Sequence, residues 1–207
     1  MSLTRVYKRF APFEINNGQH SNLKNLVQKS AAEPEGYIAL SNHRFLVLVR
    51  DAGYAEEGLY YVDTESNVVE KLMGGGIQYV TVHYLADKPV WAIASTVYMG
   101  RGVSYESIES IVLSPKGSGN TTPVVKNLLS TEQDGESGLC GEGERASTLG
   151  LDSANNIVNI TYPDINHDLI PDVQITVAVQ NCISGEAAER DEKFEFHDGH
   201  FIHRNNH

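Results

Sequence analysis

From Gly36 onward, short runs rich in Val, Ile, Tyr, Phe and Thr alternate with clusters of Gly, Asn, Asp and Ser. Their spacing of about 8–12 residues is that of an all-β domain. Alternation within the runs predicts strands over Tyr37–Leu40, Arg44–Arg50, Gly58–Val62, Val68–Met73, Ile77–Tyr84, Val90–Tyr98, Ser107–Leu113, Val124–Leu129, Ile157–Tyr162, Val173–Gln180, Lys193–His197 and Phe201–Arg204. Turn chemistry joins several of them: the segments Ser41 to His43, Asp63 to Asn67 and Ala86 to Pro89 suit hairpin connections, and Asp198-Gly199 is a favoured type I′ pair. Neighbouring strands should therefore pair antiparallel. The expected fold class is all-β, an antiparallel meander of about a dozen strands built as propeller-like blades or as two packed sheets. A closed four-bladed propeller would need about sixteen strands, more than the pattern supplies.

Two stretches break the rhythm. Residues 1–35 are polar and irregular, although Leu23, Leu26 and Val27 share one face at helical spacing behind a capping Ser21, which allows a short helix there. Residues 114–156 hold two long polar loops, Ser114 to Asn120 and Gln133 to Glu144, rich in Gly and in acidic or hydroxyl side chains. Loops of this length are more often functional or mobile than structural. With residues 157–204 forming a last β unit around an acidic loop, the whole of 1–207 is expected to make one domain.

Charge and composition narrow the partners. A formal charge of −11 with 16 scattered Lys and Arg argues against a nucleic-acid backbone and favours basic partners. No apolar run approaches the roughly 18–20 residues of a membrane-spanning helix. The opening residues carry no charged segment followed by an apolar one, so a periplasmic or extracellular location, if correct, requires an export signal that this sequence does not include.

The segment from Asp164 to Asp172 carries the most chemistry. Asp164, Asn166, Asp168 and Asp172 stand at alternate positions of one loop with the Ile170 carbonyl between them, and a hard cation such as Ca²⁺ takes oxygen donors of this kind. The competing reading is a loop whose carboxylates cap its own backbone amides. Tyr162 to Asp172, followed by the β run Val173 to Val179, resembles the Asp-x-Asn-x-Asp-Gly-x-x-Asp signature of FG-GAP or VCBS-type repeats, found in propeller blades of secreted and surface proteins. The resemblance covers roughly residues 155–204, as a single copy, and includes a closing aromatic hairpin, Phe194 to Phe201, similar to those of bacterial envelope proteins. It implies a calcium ion that pins two strands of a blade. The chain departs from the pattern at His167 and Leu169, where the family usually carries the glycine that permits a left-handed turn.

Cys140 and Cys182 lie in polar surroundings, and an even count predicts one disulfide and an oxidising compartment. A bridge here would also remove Cys140 as a nucleophile. Ser137 and Cys140 are the nearest candidates for covalent catalysis, with His83 or His167 as a distant base, but Gly135 to Leu139 lacks the second glycine of a nucleophile elbow. His197, His200, His203 and His207 fall short of a closed zinc tetrahedron, since no Cys or carboxylate ligand accompanies them. The aromatic band Tyr54, Tyr60, Tyr61, Tyr79, Tyr84, Trp91, Tyr98 and Tyr105 should divide between core and a binding surface, because alternation sends Tyr60 and Tyr61 to opposite faces.

The functional expectation is a non-enzymatic protein-binding protein of the bacterial envelope. Its most concrete form is an inhibitor or immunity-type protein that neutralises a basic secreted toxin. Two other readings stand beside it: a Ca²⁺-stabilised surface or lipoprotein module that binds glycan or cell-wall material, and a hydrolase using Cys140 or Ser137.

Overall fold

The computed structural model describes residues 7–9, 33–50, 57–85, 88–100, 103–113, 123–134, 140 and 153–204. Among them run thirteen strands. They are β1 (Tyr7–Arg9), β2 (Glu33–Ala39), β3 (Arg44–Arg50), β4 (Gly58–Asp63), β5 (Val68–Met73), β6 (Ile77–Leu85), β7 (Lys88–Gly100), β8 (Val103–Val112), β9 (Val124–Asp134), β10 (Ser153–Thr161), β11 (Val173–Asn181), β12 (Ala187–His197) and β13 (His200–Arg204). The sheets are antiparallel and follow chain order: β2-β3-β4-β5, then β6-β7-β8-β9 with β1 added beside β6, then β10-β11-β12-β13. The fold is all-β, made of three successive four-strand meanders.

The chain divides into two compact units, Met1–Thr96 with Glu109–Asn127, and Val97–Ile108 with Leu128–His207. In the first, β3 reads Phe45-Leu-Val-Leu-Val49 without alternation, the pattern of a strand buried on both faces. One face of its sheet, with Ile38, Leu46, Leu48, Leu59 and Tyr61, packs on Val80, Val82, Ala92, Ala94 and Ile111 of β6, β7 and β8. The other face buries Phe45, Val47, Val49, Tyr60 and Val62. Alternation does separate Tyr60 from Tyr61, yet both are buried, at 4% and 7% exposure, because neither face of this sheet is open.

Two turns show why this sheet has its register. A side chain at Gly58 would place its Cβ 2.1 Å from the Met73 carbonyl oxygen, so only glycine lets β4 begin this close to β5. At the other end of the pair, Asp63 Oδ1 accepts from Glu65 N at 2.9 Å and Ser66 N at 3.2 Å, and its Oδ2 pairs with Arg44 Nε at 3.2 Å. Burial works against the Asp63 carboxylate, but these donors outweigh it and hold the carboxyl below its ordinary value.

In the second unit, β11 alternates cleanly. Val173, Ile175 and Val177 are fully buried on one face, while Gln174 and Thr176 on the other both donate to Asp191 of β12, at 2.9 and 2.8 Å. On the edge strand β10 the pairing register shifts between Ile157 and Asn159, so Val158 is an extra residue and half exposed. Such a bulge discourages further strand pairing at an edge.

Every run expected to be a strand is one. The additions are β1, three residues in a segment that reads as irregular, an earlier start of β2 at Glu33, and polar extensions of β8, β9, β10 and β12. The expected loop region 114–156 is shortened accordingly, since β9 continues to Asp134 and β10 begins at Ser153. The helix expected over Ser21 to Val27 lies outside the described residues, as do residues 114–122, 135–139 and 141–152. Among the described residues no helix is long and apolar enough to cross a membrane.

Candidate functional site

The acidic loop connects β10 to β11, and its base is closed by Asp172 N donating to Pro163 O at 2.7 Å. Asp172 is fully buried and accepts three backbone amides. Its Oδ2 takes Ile165 N at 2.6 Å and Asn166 N at 3.3 Å, and its Oδ1 takes Phe196 N of β12 at 2.8 Å. Farther out, Asp164 Oδ2 accepts from Leu169 N at 3.2 Å, Asn166 Oδ1 from Asp168 N at 3.0 Å, and Asp168 Oδ1 from Ile170 N at 2.8 Å. Asn166 Nδ2 also donates to Asp168 Oδ2 at 3.1 Å. The backbone can wrap in this way because His167 and Leu169 take left-handed conformations, with φ of 61° and 73°. These are the two positions at which the resembled family carries glycine. The turn is therefore made without glycine, at a cost of about 1–3 kcal/mol per residue that the surrounding hydrogen bonds offset.

Asp164, Asn166, Asp168, Ile170 and Asp172 are brought into one turn, but amide and carboxamide N–H groups point at the carboxylate oxygens that a cation would claim. Among the described residues no three His, Cys, Asp or Glu side chains converge as a metal-binding group. Burial pushes the Asp172 carboxyl above its ordinary value, the amides of Phe196, Ile165 and Asn166 pull it back in part, and the charge of Asp168 adds to the rise. In this arrangement the donor set forms a self-capped clasp between the loop and β12.

Cys140 and Cys182 form a disulfide with a Cα separation of 5.2 Å. Cys140 is thus engaged as a cystine sulfur and has no thiolate to offer a substrate. Ser137 lies outside the described residues, His83 is buried, and His167 is exposed on the acidic loop. The bridge anchors the β11–β12 turn, where Asn181 Oδ1 accepts Ile183 N at 2.9 Å and Ser184 N at 2.8 Å, and Gly185 closes the turn at φ 77°.

The histidines separate as expected of a regular hairpin. His197 pairs with His200 across Asp198-Gly199, whose positive φ values of 50° and 84° are those of the type I′ turn. His203 lies on the opposite face, stacked on Phe194 at 4.9 Å and hydrogen-bonded to Glu192, which also meets Arg190 Nε at 2.9 Å. This Arg190–Glu192–His203 network was not visible in the sequence, because the polar start of β12 carries no alternating apolar signal.

The aromatic band resolves into two populations. Trp91 is fully buried and stacks on His83 at 3.9 Å between ring centroids. Desolvation lowers the His83 pKa to about 4, which keeps the ring neutral and makes it a core histidine. Tyr79 and Tyr84 are half buried, and the Tyr84 hydroxyl donates to Ala39 O at 2.9 Å. Tyr54 lies outside the described residues. Tyr98 and Tyr105 remain, 70% and 41% exposed, with ring centroids 6.4 Å apart and planes tilted by 39°. The sequence contained both residues but not their pairing, which depends on the register of β7 against β8.

No protein-family model, curated protein or solved structure matches the chain. The likeness of the acidic loop to FG-GAP or VCBS repeats therefore rests on its residues and their conformation alone.

Proposed function

We propose that this chain is a non-enzymatic protein-binding protein of the bacterial envelope, in its most concrete form an inhibitor or immunity-type protein that neutralises a basic secreted toxin. The observation that carries this reading is the exposed Tyr98–Tyr105 pair on a chain of formal charge −11. Tyrosine is enriched at the energetic centres of protein interfaces, and an acidic field speeds encounter with a basic partner. The Cys140–Cys182 bridge suits an oxidising compartment such as the periplasm. It also leaves the cysteine version of a hydrolase without its nucleophile.

The test is retention of proteins from an envelope extract of the native host on the immobilised chain, followed by a salt gradient and mass spectrometry. A basic protein retained at low salt and released as salt rises is the expected result. Recovery of no protein partner would sink the reading. The tyrosine pair also favours a second reading, a surface module that stacks sugar rings of glycan or cell-wall material on these two side chains. Salt separates the two, because stacking on a neutral glycan is insensitive to screening.

A further inference from the structure

We infer that the Tyr98–Tyr105 pair is a docking site for an arginine side chain of the basic partner, an inference that rests on the protein-binding reading above. The rings are 6.4 Å apart and tilted by 39°, near the outer end of the range over which aromatic pairs touch. With 70% of Tyr98 and 41% of Tyr105 exposed, ring surface faces solvent. The face of a tyrosine ring carries negative potential and attracts a cation within about 6 Å of its centroid. Elsewhere in the chain the same chemistry is already satisfied internally, with Lys71 Nζ 5.8 Å from the centre of the buried Tyr60 ring. Among the described residues no cation stands over Tyr98 or Tyr105.

Two considerations select arginine. The formal charge of −11 concentrates cations around the molecule and disfavours anionic ligands such as nucleic acid. Guanidinium is planar and weakly hydrated, so it stacks on an aromatic face with less desolvation cost than the compact lysine ammonium. A pyranose ring could also stack on these tyrosines, but its neutral surface would gain nothing from the acidic field. The net charge thus favours the cationic occupant over the sugar.

The experiment titrates the intact chain into a fluorescein-labelled nona-arginine peptide, read by anisotropy, and separately into chitohexaose, read by calorimetry. Wild type is compared with Tyr98→Ala and Tyr98→Phe, both tolerable at so exposed a position. The expected result is peptide binding that weakens about fivefold in Tyr98→Ala and stays within about twofold of wild type in Tyr98→Phe, because the ring supplies the attraction. Equal losses in both variants would assign the contact to the hydroxyl and overturn the inference. Peptide binding indifferent to Tyr98→Ala would also overturn it while leaving the reading of a basic protein partner intact. Failure of the wild type to bind the peptide at all would remove both. Binding of chitohexaose that depends on Tyr98, without such dependence for the peptide, would replace arginine by a glycan.

Discussion

Phe196 N donates to Asp172 Oδ1 at 2.8 Å, so a carboxylate with no solvent exposure ties the β10–β11 loop to the far strand of the next hairpin. The same side chain holds Ile165 N and Asn166 N, and its removal would leave three amides without their acceptor. Asp172→Ala is therefore expected to destabilise the chain by about 3 kcal/mol, the scale of losing several buried hydrogen bonds to a charged group. Asp172→Asn keeps an acceptor but turns an NH₂ toward an N–H, so it should recover only part of the loss. Equilibrium urea denaturation measures both. A cost under about 1 kcal/mol for the alanine variant would mean that the clasp does not hold the loop.

Leu169 sits at φ 73° with 54% of its surface exposed, so it gives the loop left-handed strain and little burial. Leu169→Gly should stabilise by about 0.5–1 kcal/mol, the relief of the left-handed penalty less the greater freedom of glycine in the unfolded chain. Leu169→Ala is the control, since alanine keeps the Cβ and hence the strain. A glycine variant no more stable than the alanine variant would contradict the strained geometry.

Because backbone amides already donate to Asp164 Oδ2, Asp168 Oδ1 and both oxygens of Asp172, the loop should keep its conformation without a cation. Excess EDTA is expected to leave the thermal midpoint unchanged to within about 1 °C, and millimolar Ca²⁺ should not raise it. A calcium-dependent rise of several degrees would show that the carboxylates rearrange onto an ion. The Asp172→Ala variant would then lose that rise.

The strands were legible wherever burial imposes a period. Val173 to Val179 alternates because one face of its sheet is buried, and the uninterrupted Phe45 to Val49 run marks a strand covered on both sides. The start of β12, from Ala187 to Glu192, is exposed for most of its length, so nothing in its composition requires an apolar alternation. The acidic loop could be located from its aspartates alone. Whether their oxygens face an ion or the backbone is undecided by the spacing, because the same Asp and Asn pattern serves both. The Tyr98–Tyr105 pair was hidden for a different reason: the apolar pattern ends one strand at Tyr98 and starts the next at Ser107, whereas β7 runs to Gly100 and β8 begins at Val103, so both tyrosines lie on paired strands.

The disulfide between Cys140 and Cys182 spans 42 residues, and closing a loop of that length in the unfolded chain is worth about 4 kcal/mol in the chain-entropy account. Replacing both cysteines by serine should lower stability by roughly that amount, and a strong reductant should do the same to the wild type but not to the variant. The β11–β12 turn should loosen before the rest, since the bridge is one of its anchors. Hydrogen exchange at Ile183 and Ser184 measures that local effect, and unchanged protection after reduction would refute it.

His83 gives stability a dependence on pH that can be assigned to one residue. Its folded pKa is lowered to about 4 from the ordinary 6.5, because it is buried against Trp91. Above 6.5 the ring is neutral in folded and unfolded chains alike, and stability owes nothing to its titration. Between 6.5 and about 4 the unfolded chain binds a proton that the folded chain refuses, so stability falls by up to about 1.4 kcal/mol per pH unit, on the order of 3 kcal/mol across the window. Below about 4 both states are protonated there and the loss stops growing. Asp63 acts in a lower window: its folded pKa lies under the ordinary 3.8, so its contribution is present above 3.8 and is lost as pH falls through the folded value. His83→Phe keeps an aromatic ring against Trp91 and removes the titration. Urea midpoints measured from pH 7 to pH 4.5 should therefore fall less steeply in the variant than in the wild type, whatever its absolute stability. Parallel profiles would show that His83 is protonated in the folded chain or that its ring reaches water.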